Sequence, residues 1–143
     1  MKVNQISVFL ENKSGRLAAV TNLLAENNVN IRALSIADTS DFGILRIIVD
    51  RPDLAFQTLK DAGFSVSMTE VIGVEMPDKP GGLAGVLENL EAGSFNIEYM
   101  YAFIGRGDNG AMVIIRVEEP ERAISFLKEK GVRIITGERL YQL

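Results

Sequence analysis

The second half of the chain repeats the first half at a nearly constant spacing. The segment Lys13–Val20 aligns with Lys79–Val86, which lies 66 positions later, and further identities follow in the same order. The repeated unit is about 70 residues long, the size of a small domain rather than of a solenoid element. No linker-like segment separates the copies. The sequence therefore predicts two like, closely coupled domains, residues 1–69 and 70–143.

Each copy has the hydrophobic pattern of a strand, a helix, two strands, a helix and a strand. Val3–Leu10 alternates like a strand with one buried face, and Val71–Met76 repeats this pattern. Leu17, Val20 and Leu24 recur at the spacing of one helix face. The predicted fold class is α+β, with two tandem ferredoxin-like βαββαβ units, each an antiparallel sheet with helices on one face.

Residues with restricted or permissive backbones mark the ends of the helices. Proline suits a first helical turn, and Gly or Asn suits the left-handed residue that follows a helix. The second helices are therefore expected to begin at Pro52 and Pro120 and to end at Gly63 and Gly131. The first helices are expected to end at Asn27-Asn28 and at Gly93.

The third strands, Gly43–Asp50 and Gly110–Glu118, align less well than the other elements. An offset of 67 matches their first glycines but exchanges the two faces of the strand. An offset of 66 keeps the faces in phase, so we place the insertion at the strand end. Glu138–Leu143 is expected to form a short additional strand.

Sequence identity is concentrated in the loop that joins the first strand to the first helix. A glycine at a helix start permits close approach, and the free N–H groups there attract carboxylates. Asn12 and Asp78 can accept a hydrogen bond from an ammonium group, so the loop has features that suit an α-amino acid. The alternative is structural, with Asn12 and Asp78 capping their helices and the glycines serving only the turns.

The loop sequences resemble the signature of the ACT domain, a small-molecule sensor of amino-acid metabolism. The resemblance rests on Asn12–Leu17 with Asn30-Ile31, and on Asp78–Leu83 with Asn96-Ile97. It covers essentially the whole chain as two tandem copies. It implies paired domains and an amino-acid effector bound at their interface, near these loops and the start of the second strand.

The resemblance also implies the residues of the site by position. These are Asp78, Gly81, Gly82, Leu83, Asn96 and Ile97 in the second copy, and Asn12, Gly15, Arg16, Leu17, Asn30 and Ile31 in the first. The second loop is closer to the family pattern and is expected to be the stronger site. Gly82 is expected to tolerate a larger residue because Arg16 occupies the aligned position, and Arg16 itself could recruit an acidic group.

Composition excludes much enzymology. The chain contains no cysteine and no histidine, which removes thiolate nucleophiles, Cys-ligated metals, the commonest general base and the commonest transition-metal ligand. The carboxylates show no spacing typical of a hard-cation site. We therefore expect no metal, no cofactor and no catalytic activity.

Charge and hydropathy limit the kinds of partner and the cellular location that we expect. The net charge is −4 and no basic stripe is present, which argues against nucleic acid or an anionic membrane as partner. No apolar run is long enough to span a bilayer. No signal peptide precedes the first strand pattern, so a cytoplasmic location is expected.

An aromatic stripe distinguishes the second copy from the first. Tyr99, Tyr101 and Phe103 alternate along the second strand, where the first copy has small residues. We expect them to cover the helix-free face of the sheet against the other half; a ligand pocket or a dimer contact is the alternative. Arg106–Gly110 is expected to form a hairpin turn through its Asn-Gly pair.

The sequence thus favours a stand-alone sensor that binds a free amino acid and reports to a metabolic enzyme or regulator, as a homodimer. Two alternatives remain open. The chain could be a structural adaptor that pairs its sheets with a partner and binds nothing small. Less favoured is a small hydrolase of the acylphosphatase type, because no loop with the required phosphate cradle stands out.

Overall fold

The computed structural model describes residues 2–11, 13–38, 41–104 and 110–142. The chain divides into two compact units. The first unit contains Asn4–Thr69 together with Gln142, and the second contains Glu70–Tyr141 together with the N-terminal residues through Val3.

The predicted order of elements is confirmed in both copies. The first copy contains β1 (Val3–Glu11), α1 (Arg16–Glu26), β2 (Ile31–Asp38), β3 (Phe42–Val49), α2 (Pro52–Asp61) and the start of β4 (Ser65–Pro77). The second copy continues from β4 through α3 (Gly82–Ala92), β5 (Ile97–Ile104), β6 (Gly110–Val117), α4 (Pro120–Glu129), β7 (Arg133–Ile135) and α5 (Gly137–Tyr141). The last strand of the first copy and the first strand of the second are therefore one continuous strand.

In the first unit, β3 pairs antiparallel with both β1 and β2. The alternating residues Ile6, Val8 and Leu10 face the core, as predicted, together with Val20 and Leu24 of α1. The second unit has the same arrangement, since β6 pairs antiparallel with β4 and β5 while β7 pairs with β4. Its core is built from the corresponding residues of β4, β6, α3 and α4.

The predicted ends of the second helices are confirmed. Pro52 and Pro120 are the first residues of α2 and α4, and Gly63 and Gly131 have φ angles of 91° and 79°. The prediction for the first helices is only half right. Asn28 has a φ of 58°, but after α3 the left-handed residue is Ser94 (φ 59°), whereas Gly93 has a φ of −85°.

The register of the third strands corrects the position of the insertion. Ile6 pairs with Ile47 and Ile72 pairs with Ile115, so the offset has become 68 within these strands. An even offset preserves the faces, as expected, but the two extra residues precede β6 in its connection to β5. The expectation that they lie at the strand end was therefore wrong. The predicted turn at Arg106–Gly110 lies largely outside the described residues.

The C-terminal segment forms a helix, α5, and the expectation of an extra strand there was wrong. Leu140 is buried, and its Cδ1 lies 2.9 Å from the position that a Cβ on Gly73 would occupy. Because Val74 faces the core with α3 and α4, Gly73 faces the opposite side of β4, and α5 covers that side. The glycine provides the space for this contact, and β4 is buried on both faces from Val71 to Met76.

Candidate ligand-binding loops and cavities

The glycines before the first helices are required by the turns that they form. Gly81 has φ 89° and ψ −9°, and the N–H of Gly82 donates to the carbonyl of Lys79 at 3.0 Å. These values describe a type II β-turn, in which the third residue needs a positive φ. Gly15 has almost the same conformation, with φ 87° and ψ −9°. Turn geometry alone therefore explains Gly15 and Gly81.

The acidic residue of the second loop does not cap its helix. Among the described residues, no side chain caps the start of α1 or α3, and the exposed Asp78 forms no hydrogen bond or ion pair. The amides of Leu83 and Ala84, in the first turn of α3, also donate to no described acceptor. The start of α3 therefore combines free donors with a free carboxylate. Asn12, the first-copy counterpart of Asp78, lies outside the described residues.

A cavity of about 620 Å³ lies beside this loop within the second unit. Its walls come from the end of β4, the start of α3 and the turn between α4 and β7. The lining residues are Glu75, Met76, Pro77, Asp78, Lys79, Gly81, Gly82, Gly85, Val86, Asn89, Gly131, Val132 and Arg133. Of the residues expected in this site, Asp78, Gly81 and Gly82 line the cavity. Leu83, Asn96 and Ile97 do not.

Two glycines of this cavity have different roles. A Cβ on Gly82 would overlap the backbone carbonyl oxygen of Pro77, so this position cannot accept a side chain without a shift of the loop. The expectation that Gly82 tolerates a larger residue was therefore wrong. A Cβ on Gly85 would meet no atom within 4 Å. Sequence reasoning missed Gly85, whose signal is a glycine inside a helix where the first copy has Ala19.

Among the charged residues that line the cavity, Glu75 has arginine partners, whereas Lys79 has no ion-pair partner among the described residues. Glu75 is 5% exposed, and its Oε2 lies 3.3 Å from Nη1 of Arg139 and 3.6 Å from Nη1 of Arg133. Its Oε1 has no hydrogen-bond partner among the described residues. Because Val74 and Met76 face the core, the Glu75 side chain points to the opposite face of β4. Lys79 forms no ion pair with any described residue.

The first unit has a cavity at the corresponding place, with a volume of about 450 Å³. It is lined by Phe9, Leu10, Glu11, Arg16, Phe42, Gly63, Phe64 and Ser65. A smaller space of about 220 Å³ is lined by Leu10, Glu11, Lys13, Arg16, Leu17, Ile36 and Gly43. Of the residues expected in the first-copy site, Arg16 lines both spaces and Leu17 lines the smaller one, whereas Gly15 lines neither.

One ion pair sets the charge of the first-unit loop. Lys13 Nζ lies 2.9 Å from Glu11 Oε2, and this hydrogen bond is the main reason why the pKa of Glu11 lies below its usual value. Arg16 adds a smaller favourable charge interaction with Glu11.

The expected residues at the start of the second strands lie away from the cavities described above. The Asn30 N–H donates to Asp50 Oδ1 at 2.9 Å, and the Asp50 N–H donates to the Asn30 carbonyl at 3.1 Å, so Asn30 joins β2 to the end of β3. Ile31 and Ile97 pack against the two cores. A ligand contact by Asn30, Asn96 or these isoleucines stays a prediction.

The aromatic stripe lies on the face of β5 that points away from α3 and α4. Tyr101 pairs with Ile114, which alternates with the core residues Val113 and Ile115. Tyr99 and Tyr101 are half-buried. The side chain of Phe103 is outside the described set, and what the stripe covers stays a prediction.

The described residues contain no group of three or more His, Cys, Asp or Glu side chains placed to hold a metal ion. Their helices include none that is long and apolar enough to cross a membrane.

Comparisons with known proteins agree with this repeated architecture. The family described as an ACT domain pair matches residues 1–143. A crystal structure of a protein from Bacteroides thetaiotaomicron is similar to this chain with a TM-score of 0.94 and 49% identity, over 100% of this chain and 98% of that one. No curated protein gives a match.

More distant structures share the fold. The ligand-free regulatory subunit of aspartate kinase from Thermus thermophilus has a TM-score of 0.61 and 18% identity, over 88% of this chain and 90% of that one. The corresponding subunit from Thermus flavus has a TM-score of 0.56 and 19% identity, with the same coverage of both chains.

Proposed function

Because the chain belongs to the ACT domain pair family, we propose that it is a regulatory protein that binds a free amino acid in the cavity at the start of α3. The observation that carries the proposal is the combination of free helix amides, an unpartnered carboxylate and an adjoining cavity within the second unit. The name of the aspartate kinase regulatory subunits, which share the fold, is in keeping with a regulatory role.

The proposed binding mode uses opposite charges at the two ends of one small molecule. The carboxylate of the ligand accepts hydrogen bonds from the amides of Leu83 and Ala84, where the helix dipole is positive. The ammonium group donates to the carboxylate of Asp78. The side chain of the ligand extends into the cavity beside Gly85 and Asn89. The cavity of about 620 Å³ lies within the range of small-molecule sites.

We propose the remaining assignments on the same family basis. Residues 1–69 and 70–143 act as the two domains, the protein is a homodimer, and the bound amino acid changes its interaction with a metabolic enzyme or regulator. A sensor of this kind needs no catalytic group, in keeping with the lack of histidine and cysteine in the sequence.

The experiment has two stages. A thermal-shift screen with each common amino acid identifies the effector, because a ligand that binds only the native state raises its stability in proportion to RT ln(1 + [L]/Kd). Calorimetric titration of that amino acid then compares wild type with Gly85→Leu, in which the new side chain fills the open space on the cavity side of α3. We expect affinity to fall at least tenfold.

The matched control is Gly85→Ala, which reproduces the residue of the first copy and adds only a methyl group. We expect this variant to bind within a few-fold of wild type. Asp78→Ala adds a second test, because Asp78 caps no helix and its loss should weaken binding without unfolding α3. Wild-type affinity in Gly85→Leu would place the ligand elsewhere. No response to any amino acid would favour the adaptor alternative.

A further inference from the structure

The corresponding cavities of the two units share a glycine, Gly63 or Gly131, but differ in chemistry at several other positions. Where the second unit has Gly82, Val132 and Arg133, the first has Arg16, Phe64 and Ser65. Phe9 takes the place of Glu75. One unit therefore has a glycine-lined cavity with an open helix start, and the other has an aromatic cavity with a guanidinium group.

The guanidinium of Arg16 is available to a ligand. Arg16 is exposed, and its side chain forms no hydrogen bond or ion pair with any described residue. The only carboxylate that lines the same cavity is Glu11, which is held at 2.9 Å by Lys13. Because Lys13 already pairs with Glu11, that carboxylate does not require the guanidinium of Arg16 as its partner. Arginine with a free planar fork is well suited to bind a carboxylate through two hydrogen bonds.

The rest of the cavity wall is apolar and incompletely covered. Phe9 is 49% exposed and Phe42 is 57% exposed, whereas Phe64 is half-buried against the core. Phe42 pairs with Glu11 across β3 and β1, and Phe9 pairs with Ile44, so both exposed rings lie on the same face of the sheet. A ligand ring placed against them would remove apolar surface from water on both sides of the contact.

We propose that the first-unit cavity is a second ligand site, distinct from the one proposed beside α3, and that it binds an aromatic monocarboxylate. Arg16 holds the carboxylate, and Phe9 and Phe42 contact the ring. The proposal does not rest on amino-acid binding by the second unit, because it depends on a different cavity and on different side chains.

The test titrates the full chain with 3-phenylpropionate as the probe and measures the amide chemical shifts of the protein. Saturable shifts are expected in the first unit, around Arg16 and Phe42. The neutral analogue 3-phenylpropionamide, which keeps the ring and loses the charge, is expected to bind at least tenfold more weakly. Propionate, which keeps the charge and loses the ring, is expected to bind at least tenfold more weakly as well. This comparison needs no variant and so does not depend on how a mutant folds.

Variants then assign the contacts. Arg16→Gln should weaken binding of the probe at least tenfold. Arg16→Lys should lose less affinity because the positive charge remains. Phe42→Ala should weaken it several-fold, whereas Gly85→Leu, in the other cavity, should leave it unchanged. Equal binding of acid and amide, or wild-type affinity in Arg16→Gln, would overturn the proposal. If the Phe42→Ala variant binds the probe normally but its mass in light scattering differs from that of wild type, the proposal is wrong and this surface is a contact between copies of the chain.

Discussion

Gly82 and Gly85 lie one turn apart on α3, and the structure predicts opposite effects for the same substitution at the two positions. A methyl group at Gly85 meets open space and lies inside a helix, where alanine is favoured over glycine by about 1 kcal/mol. A methyl group at Gly82 overlaps the backbone oxygen of Pro77. Steric overlap of this kind costs about 1–3 kcal/mol when backbone must move. Gly85→Ala should therefore raise the free energy of unfolding, and Gly82→Ala should lower it.

Chemical denaturation of the two variants and of wild type measures both effects. The midpoints should differ in opposite directions with unchanged m-values, since neither substitution alters the surface exposed on unfolding. For a chain of this length about 1 kcal/mol corresponds to a change in Tm of roughly 2–4 °C. If Gly82→Ala unfolds at the same denaturant concentration as Gly85→Ala, the end of β4 does not restrict the start of α3, and the reasoning is refuted.

Two other predictions concern charges of the second unit. Arg139→Ala should destabilise the protein by about 1–3 kcal/mol, because it removes a cation from the buried carboxylate of Glu75; the loss should largely disappear in a Glu75→Leu background, and an equal loss in both backgrounds in a double-mutant cycle would contradict the pairing. The hydrogen bond between Lys2 and Glu121, 2.7 Å long, is the main reason why the pKa of Lys2 is raised and that of Glu121 is lowered, and Glu70 adds to the effect on Lys2. Its contribution should therefore be present at neutral pH, decrease as pH falls through the lowered pKa of Glu121, and decrease as pH rises through the raised pKa of Lys2. Glu121 is exposed and Lys2 only half-buried, so the effect should be small, and a Lys2→Met variant with the same pH dependence as wild type would rule it out.

The helix ends show how far local patterns carry. Pro52 and Pro120 each begin a helix shortly after a strand, because the fixed φ of proline matches a first helical turn. The left-handed residue after α3 shows the limit. It is Ser94, although the neighbouring Gly93 could adopt that conformation at lower cost. A Cβ on Gly93 would lie 2.6 Å from the ring of Phe95 and 3.0 Å from that of Phe126. Gly93 therefore provides the space in which these two rings pack.

The candidate site was predictable from the sequence only where a local pattern requires a particular residue. The turn glycines Gly15 and Gly81 were evident because a type II turn depends on the residue at one position. The turn at Gly131 was not connected with the loop, since the packing of α3 and α4 brings it to the cavity wall. No local pattern in the sequence indicates such a contact. Gly85 has a local signal as a glycine within a helix, but that signal does not indicate a cavity.

The sequence by itself determined the duplication, the order of strands and helices within each βαββαβ unit, and the family, because hydrophobic period, turn chemistry and loop motifs are local properties that occur in both copies. Only the tertiary structure decided that Gly82 leaves no room for a side chain and that α5 covers the second face of β4. It also decided that Arg16 lines an aromatic cavity in one unit while glycines line its counterpart in the other. The physical reason is that space and charge within a cavity are sums over residues far apart in the chain.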